Sequence, residues 1–394
     1  MNLLQITSKP PFPEKDGGCR AMAALANSLV QQGNEVQLLC IATYKHPFNI
    51  SSFPPTLKEK TTSVFINTKP NFFQALSAFV QNKSYNITRF DSKKMHQLVN
   101  QSLQQNKFDA IILDSLYATP YLPTILKNTT CPVVYRAHNI EYELWETHAK
   151  NEKIFFKKLY LQLLAKQLKK YEINILTEVT GIACISPENA FQIKNISKNK
   201  RVSYIPFSIN DSLPKMAALS KKLFFIGSFE WEPNTIGLKW FIKNVWSKII
   251  DFDPKIEFHI AGKGMNKKEW EGKNIVCHGE VENAEKFIEP FFIMPVPLFN
   301  GSGVRIKIIE AMAAGKIIIA TPKAAEGIPY THQKNIFIAH SENEFVNCIK
   351  YCILNPEKAI NISLEAQKLA VEQYGNRKVM HDFLSFINKL KEDE

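Results

Sequence analysis

The sequence of 394 residues lacks the features that mark a membrane-spanning or secreted protein. No apolar run approaches the roughly 18–20 residues that a transmembrane helix needs. The first residues, MNLLQITSKPPFPEKDGG, do not combine a basic segment with a following apolar one, as a signal peptide does. The seven cysteines are scattered and form no CxxC pair. We therefore expect a cytoplasmic protein with reduced thiols and without a bound metal.

Patterns typical of several enzyme and nucleic-acid-binding classes are also missing. The sequence has no Ser-His-Asp spacing, no zinc-ligand pattern and no P-loop, and it contains no recognisable nucleic-acid module. Asp251 and Asp253 form a DxD pair, which holds a divalent metal in some sugar transferases. Because the pair precedes Pro254 between a predicted helix and a predicted strand, we interpret it as a turn.

Acidic residues are scarce relative to basic ones in the first half of the chain. Residues 1–205 hold 25 Lys and Arg against 14 Asp and Glu, whereas residues 206–394 hold 24 against 23. The excess is concentrated in Lys150–Lys170 and Lys194–Arg201, and the first of these belongs to a predicted helix, Lys150–Leu176. We interpret that helix as having a solvated basic face. Contact with an anionic acceptor, or with an anionic membrane at its inner face, is the alternative.

Short apolar runs alternate with helical patterns along the whole chain, and several runs are apolar on both faces, as in a covered parallel sheet. This βαβ repetition occurs twice and is interrupted at Ile209–Ser220. The sequence predicts an α/β fold of two doubly wound, Rossmann-like domains facing a cleft. The predicted ranges are 1–208 for the N-terminal domain, 209–220 for a linker and 221–375 for the C-terminal domain. A final helix is predicted at 376–394, and a return of this helix to the first domain is left open.

Residues 300–328, NGSGVRIKIIEAMAAGKIIIATPKAAEGI, form the most informative segment. A glycine turn opens a predicted helix, Arg305–Ala314, whose free N–H groups and positive dipole end suit an anion such as a diphosphate. Arg305 and Lys307 add two cations. Glu310, about two helical turns beyond the glycine turn, can accept hydrogen bonds from sugar hydroxyls. The structural alternative is a glycine-rich loop that caps an ordinary helix.

Three other segments combine a strand end or helix start with polar residues, and each has a structural alternative. His138 ends the apolar strand in PVVYRAHNIE, where it can contact a transferring sugar or be satisfied by local backbone. Gly17 and Gly18 open the first helix, as a ligand loop or as a flexible turn. Asn234, after the strand end at Ser228, is an N-cap with or without a ligand contact.

Together these segments resemble the GT-B glycosyltransferases, specifically the large retaining family marked by a Glu-x7-Glu signature (family 4 type, glycosyl transferases group 1). The resemblance covers nearly the whole chain and rests on Gly17-Gly18, RAHNIE at His138, CIS at Cys184–Ser186, YIPFSIN at Tyr204–Asn210, GSF-W-PN and GSGVRIKIIEAMAAGK. It implies a GT-B fold in which the C-terminal domain binds a nucleotide-sugar donor and the N-terminal domain faces a glycan or lipid-linked acceptor. No cofactor or metal is implied, and we expect a UDP-sugar rather than a GDP-sugar.

The resemblance also implies roles for individual residues. His138 matches the active-site histidine of the family, and Glu310 matches the glutamate that contacts the donor ribose. The implied donor-binding residues are Gly17, Gly18, Ser228, Asn234, Ser302, Gly303, Val304 and Glu310. Gly279, Glu280 and Val281 match the turn that holds the base.

Three positions depart from the family pattern. Ser302 stands where the first glutamate of the signature is expected, and Ser228 and Ile236 replace the usual basic pair. The departing nucleoside diphosphate gains negative charge that must be stabilised. We hypothesise that Lys307 or Arg305 replaces the missing pair. Because side chains two apart do not share a helix face, both reach the phosphates only if the loop continues through Arg305.

The sequence therefore predicts a retaining, hexosyltransferase-type enzyme that moves a sugar from a nucleotide-sugar donor to a hydroxyl, in cell-surface glycan or polysaccharide biosynthesis. Two alternatives remain open. One is a sugar-nucleotide epimerase of the same fold, although the acid/base carboxylates of such an enzyme are not at recognisable positions. The other is a non-catalytic subunit that binds a sugar nucleotide, which Ser302, Ser228 and Ile236 motivate.

Overall fold

The structure is a computed structural model, and it describes residues 1–197, 201–211, 220–301 and 303–392. The chain divides into two compact units, Met1–Ser208 with Val379–Glu394, and Ile209–Lys378. Each unit contains one parallel β-sheet with helices against it, which confirms the predicted α/β class with two Rossmann-like domains. Of the predicted linker, residues 212–219 lie outside the described residues.

The first unit is built on a seven-stranded parallel sheet with the strand order β3-β2-β1-β4-β5-β6-β7. The strands are β1 (Asn2–Thr7), β2 (Glu35–Ala42), β3 (Thr61–Phe65), β4 (Ala110–Asp114), β5 (Val133–Ala137), β6 (Gly181–Cys184) and β7 (Val202–Tyr204). The order reverses direction between β1 and β4, a position where such sheets bind ligands. Strand β3 was not predicted, because its sequence TTSVF is short and mostly polar, as an edge strand can be.

Helices cover both faces of this sheet. They are α1 (Gly17–Gln31), α2 (Pro55–Lys58), α3 (Phe72–Val80), α4 (Tyr85–Thr88), α5 (Lys93–Gln105), α6 (Leu122–Asn128), α7 (Glu141–Asn151), α8 (Phe155–Glu178) and α9 (Pro187–Ile196), with 3₁₀ turns at Ile50–Ser52 and Leu116–Tyr121. On one face Met95, Leu168 and Ile193 pack against the apolar strands, and on the other face Leu25 and Leu29 do so. The core thus lies on both sides of the sheet.

The prediction of one continuous helix over Lys150–Leu176 is wrong. Helix α7 ends at Asn151 and helix α8 begins at Phe155. Between them, the Glu152 carboxylate accepts hydrogen bonds from the amides of Lys153 and Ile154, at 2.9 and 3.0 Å. These bonds satisfy two backbone N–H donors that precede α8. They favour a break in the helix, although the side-chain pattern indicates one continuous helix.

The second unit contains a six-stranded parallel sheet with the strand order β10-β9-β8-β11-β12-β13. The strands are β8 (Lys222–Ile226), β9 (Glu257–Ala261), β10 (Ile275–Gly279), β11 (Ile293–Val296), β12 (Ile317–Ala320) and β13 (Phe337–Ile338). The helices are α10 (Glu232–Phe241), α11 (Ser247–Phe252), α12 (Ala284–Ile288), α13 (Ile306–Ala313), α14 (Glu342–Leu354) and α15 (Pro356–Tyr374), with a π-helical turn at Ile242–Trp246 and a 3₁₀ turn at Lys267–Glu269. The order reverses between β8 and β11, which marks the ligand position of this sheet.

The last helix, α16 (Asn376–Glu392), belongs to the first unit from Val379 onward. Its apolar residues recur at helical spacing and pack into the core beside α1; they are Val379, Met380, Phe383, Ile387 and Leu390. Helix α16 lies so close to strand β6 that a Cβ on Gly181 would stand 2.5 Å from Leu390. Among the helices of the described residues, none is both long and apolar enough to cross a lipid bilayer.

Candidate functional site

The candidate site of the second unit lies where strand β8 ends and two helices begin. After β8 the chain passes through Gly227 and Ser228 before α10 starts at Glu232. Helix α13 starts at Ile306, after the glycine loop. Lys307 on α13 bonds Asn234 on α10, so the first turns of both helices converge at the reversal between β8 and β11. Two helix N-termini at one point provide positive potential from the helix dipoles.

Lys307 is the central cation of this site. Its Nζ donates a hydrogen bond to Asn234 Oδ1 at 2.8 Å and lies 4.2 Å from the centroid of the Phe225 ring. Burial, and then the nearby charge of Arg305, lower the pKa of Lys307 from 10.5 to about 7. Within the part of the chain that the structure describes, no carboxylate forms an ion pair with Lys307. The charged form is therefore poorly stabilised, and an anion placed here would stabilise it.

The prediction that Asn234 is an N-cap is wrong, because α10 begins at Glu232 with Trp231 at the N-cap position. Asn234 lies instead in the first turn, where it holds Lys307 in place through a second hydrogen bond. Its Nδ2 donates to the carbonyl oxygen of Ser228 at 2.8 Å, while Oδ1 accepts from Lys307. Gly227 makes this arrangement possible, because a Cβ there would lie 2.8 Å from Asn234 Nδ2 and 3.3 Å from Lys307 Nζ. The structure thus brings together two predicted donor-binding residues, Ser228 and Asn234, with the predicted cation.

Arg305 lies in the loop and not in the helix. It is the N-cap of α13, with backbone angles outside the helical region, and its side chain is buried. Its guanidinium stands 5.2 Å from the centroid of the Trp231 ring and donates to the carbonyl oxygen of Gly303. Burial lowers the pKa of Arg305, and the charge of Glu326 acts in the opposite direction. Because the loop continues through Arg305, the helix-face rule does not prevent both cations from reaching one ligand.

The remaining predicted donor residues lie around this pair. Glu310 is three residues after Lys307 on α13, so the two share a helix face, and Glu310 is half-buried. Gly303 and Val304 form the loop that leads into Arg305. Ser302 lies outside the described residues.

The predicted base-binding turn is connected to the same edge of the sheet. Gly279 is the last residue of β10, and Glu280 and Val281 follow it. The Gly279 carbonyl accepts a hydrogen bond from the Gly262 amide at 2.7 Å. A Cβ on Gly262, which has φ +151°, would stand 1.7 Å from the Gly227 carbonyl oxygen, so only glycine fits between these strand ends. The ends of β8, β9 and β10 therefore lie side by side.

A second polar cluster lies in the first unit, at the ends of β4 and β5. His138 Nε2 is 2.5 Å from Asp114 Oδ1, Gln5 Nε2 donates to Asp114 Oδ2 at 2.7 Å, and Arg136 Nη1 lies 3.4 Å from both carboxylate oxygens. Arg136 also donates to the Ala21 carbonyl oxygen in α1 at 3.0 Å. These bonds fix the His138 ring at the C-terminal edge of the sheet, next to the point where the strand order reverses between β1 and β4.

Asp114 is fully buried, which by itself raises its pKa, but the charges of Arg136 and His138 together hold the pKa below its ordinary value. The carboxylate is therefore ionised and orients the imidazole. Sequence reasoning missed Asp114 and Arg136 as site residues. The available signal was a charged residue inside or at the end of an otherwise apolar strand, AIILD and VVYRA.

The loop after His138 is held by a carboxylate from another helix. Helix α7 has no side-chain cap of its own, and Glu172 of α8 accepts hydrogen bonds from the amides of Glu141 and Tyr142 at 3.1 and 2.9 Å. Burial raises the pKa of Glu172 to about 8. Burial also raises the pKa of Glu141, which accepts a hydrogen bond from the Tyr117 hydroxyl. These hydrogen bonds hold residues 139–142, which directly follow His138, in one conformation.

Gly17 and Gly18 form the first turn of α1, beside a small polar cluster. Asp16 caps the helix through the Cys19 amide at 2.9 Å and also binds Lys9 Nζ at 2.7 Å and His46 Nε2 at 2.9 Å. The ligand atoms of Asp16, Cys19 and His46 lie within 4.8 Å of one another, so they could hold a metal. Burial raises the pKa of Cys19 to about 11, and Lys9 already neutralises Asp16. That the activity requires no metal stays a prediction.

Comparison with known families finds a match within the second unit. The model of the family Glycosyl transferases group 1 matches residues 220–355, which include Ser228, Asn234, Lys307 and Glu310. A curated relative, described as an uncharacterized 44.6 kDa protein in the cps region of Klebsiella pneumoniae, is 24% identical over 396 residues. The match covers 96% of this chain and 97% of the relative.

Solved structures share the fold of each of the two units. A mutant of S. aureus TarM in complex with fondaparinux, α-GlcNAc-glycerol and UDP has a TM-score of 0.69 at 12% identity, covering 98% of this chain and 100% of that chain. Anabaena HepE in complex with UDP has a TM-score of 0.67 at 13% identity, covering 99% and 100%. Sucrose-phosphate synthase of Thermosynechococcus elongatus has a TM-score of 0.69 at 13% identity, covering 100% of both chains. These similarities show that the two domains have the GT-B glycosyltransferase fold.

Proposed function

We propose that the protein is a glycosyltransferase that moves a sugar from a nucleotide-sugar donor to a hydroxyl acceptor. The observation that carries the proposal is Lys307, a cation without a carboxylate partner in the described residues, placed where two helix N-termini meet at the strand reversal. A diphosphate would pair with the cation at the positive ends of the two helix dipoles. The match of residues 220–355 to Glycosyl transferases group 1 supports the same reading.

In this proposal the second unit holds the donor. Lys307 stabilises the charge that develops on the departing diphosphate, and Arg305 assists from the loop. Glu310, one turn further along the same face of α13, accepts hydrogen bonds from the ribose hydroxyls. Gly279, Glu280 and Val281 hold the base at the adjacent strand end. UDP is the proposed nucleotide, which agrees with the UDP bound in the TarM and HepE structures.

His138 is the proposed group of the first unit that acts on the sugar or the acceptor. Its Nε2 is engaged by the ionised Asp114, so in the neutral ring Nε2 carries the proton and Nδ1 is a hydrogen-bond acceptor. Nδ1 can therefore accept a hydrogen bond from a sugar hydroxyl. We also propose that transfer retains the configuration at the anomeric carbon. A role in polysaccharide biosynthesis is proposed too, and it agrees with the cps region in the description of the Klebsiella relative.

Thermal-shift measurements with UDP, GDP, ADP and their sugar derivatives test donor binding, because a ligand that binds only the folded state raises its stability. We expect UDP and one UDP-sugar to raise the melting temperature most, and Lys307→Met to lose that response. If no nucleotide shifts the melting temperature, the proposal is wrong. UDP release from the UDP-sugar, followed by NMR of the anomeric proton, then separates transfer with retention from binding without turnover.

A further inference from the structure

Helix α3 exposes an apolar face that no described residue covers. Its buried side packs Ala75 and Ala78 against Tyr85, Leu161 and Leu164, which form a small separate core with α4 and α8. The opposite side presents a stripe of large apolar residues to solvent: Phe72, Phe73, Leu76, Phe79 and Val80. Phe72 is 75% exposed and Phe73 is 78% exposed, so these rings contribute almost nothing to folding. A contiguous apolar stripe of this kind marks an interaction surface.

The first turns of α8 repeat the same feature. Its apolar residues at one side, among them Leu164 and Leu168, are buried, but the N-terminal end exposes Ile154, Phe155, Phe156, Leu159 and Tyr160. Phe156 is 82% exposed. Because Leu161 and Leu164 of α8 meet Ala75 and Ala78 of α3, the two helices are neighbours. We call the exposed apolar residues of α3 and of residues 154–160 the aromatic surface.

The two segments that carry the aromatic surface hold charges of one sign only. No Asp or Glu occurs from residue 60 to 90 or from residue 153 to 171, and these two segments carry the surface. Lys69 and Lys83 flank α3, Lys153 precedes α8, and Lys157 and Lys158 lie in the first turn of α8. The Glu152 carboxylate, just outside the second segment, forms an ion pair with Lys157. A partner that accepts both exposed aromatic rings and several lysines must be apolar within and anionic at its surface.

We propose that the aromatic surface docks on an anionic lipid bilayer. Aromatic and aliphatic side chains of an interfacial helix enter the boundary between headgroups and acyl chains, while flanking lysines bind anionic headgroups. The helices α3 and α8 lie on the bilayer and do not cross it. This docking would hold the first unit at a membrane, where a lipid-linked acceptor is located, but the proposal itself requires no turnover.

Flotation of the purified full-length chain with vesicles tests the docking. One vesicle preparation contains one part phosphatidylglycerol to two parts phosphatidylcholine, and the other contains phosphatidylcholine alone. We expect the protein to float with the anionic vesicles, to bind neutral vesicles weakly, and to be released by high salt. The variant Phe72→Ser/Phe73→Ser should reduce partitioning by about tenfold or more, since it removes two exposed rings from the interface.

Matched variants keep the test specific. Phe191→Ser changes an exposed ring on α9, outside the aromatic surface, and should float like the unmodified protein. Lys83→Glu/Lys153→Glu keeps all rings and should lose the preference for anionic vesicles. Because the changed side chains are exposed, circular dichroism and melting temperature should stay unchanged in every variant.

Two results would overturn the proposal. One is a protein that does not float with anionic vesicles, or whose Phe72→Ser/Phe73→Ser variant floats as well as the original. The other is self-association, seen as a dimer in light scattering. If the Phe72→Ser/Phe73→Ser variant converts this dimer to a monomer while flotation is unaffected, the aromatic surface joins two copies of the chain. Loss of UDP binding has no bearing on either readout, so this inference and the proposed function fail separately.

Discussion

Binding of UDP should be coupled to proton uptake by Lys307. Burial and the charge of Arg305 place the pKa of Lys307 at about 7, so at pH 8 about one tenth of the free protein carries a proton there. A diphosphate in contact with Nζ restores the ordinary pKa, which keeps the bound lysine charged. Lys307 should therefore take up about 0.9 proton per UDP at pH 8. Its share should fall to about 0.1 at pH 6, where UDP itself also releases protons on binding.

Titration calorimetry in two buffers of different ionisation enthalpy, such as HEPES and Tris, measures this number directly. At pH 8 the phosphates of UDP are already ionised, since the second ionisation of a phosphate lies near pH 6, so they add little to the count. Lys307→Arg is the informative variant because arginine keeps the positive charge but stays protonated throughout. We expect it to bind UDP with almost no proton uptake at pH 8.

Lys316 provides the matched control. It is a second buried lysine of the same unit, its Nζ donates to the carbonyl oxygens of Glu289 and Phe291, and burial lowers its pKa to about 8. Lys316→Met should therefore lose stability but keep the proton uptake on UDP binding. The reasoning is refuted if the unmodified protein takes up fewer than about 0.2 proton at pH 8, or if Lys307→Arg takes up as many as the unmodified protein.

Three further predictions concern the polar groups of both units. Asp114→Asn should lower kcat for UDP release by about 10²-fold, because it alters the orientation and the proton of His138. The KM for the donor should stay nearly unchanged, since donor binding is not affected. A rise in KM as large as the fall in kcat would contradict this role. Glu172 has a pKa raised to about 8, so the folded state binds the extra proton and stability falls as pH rises from 5 to 8.5. Urea unfolding should show a loss on the order of 3–5 kcal/mol over that range, and Glu172→Gln should flatten it. Gly227→Ala places a methyl group against Asn234 and should weaken UDP binding by about tenfold or more in the same calorimetry, whereas an unchanged affinity would show that Lys307 is not held by this contact.

Local sequence patterns were sufficient for the strands and helices with strong periodicity. Apolar runs such as AIILD and KLFFI predict buried parallel strands because few other elements are apolar on both faces over so short a length. Short polar elements escaped prediction, strand β3 among them, because their stability comes from the neighbour that they pair with. The break between α7 and α8 was missed since one side chain, Glu152, changes the backbone without changing the apolar pattern.

The sequence by itself determined the α/β class and the position of the glycine loop before α13, because periodicity and turn residues act over a few neighbouring residues. It also led to the hypothesis that Lys307 or Arg305 replaces a missing basic pair. Only the tertiary structure decided that Lys307 meets Asn234, that Asp114 and Arg136 orient His138, and that α3 leaves its aromatic stripe uncovered. The hydrogen bonds among them join residues 22 to 73 positions apart. They depend on how strands and helices pack, which no local pattern encodes.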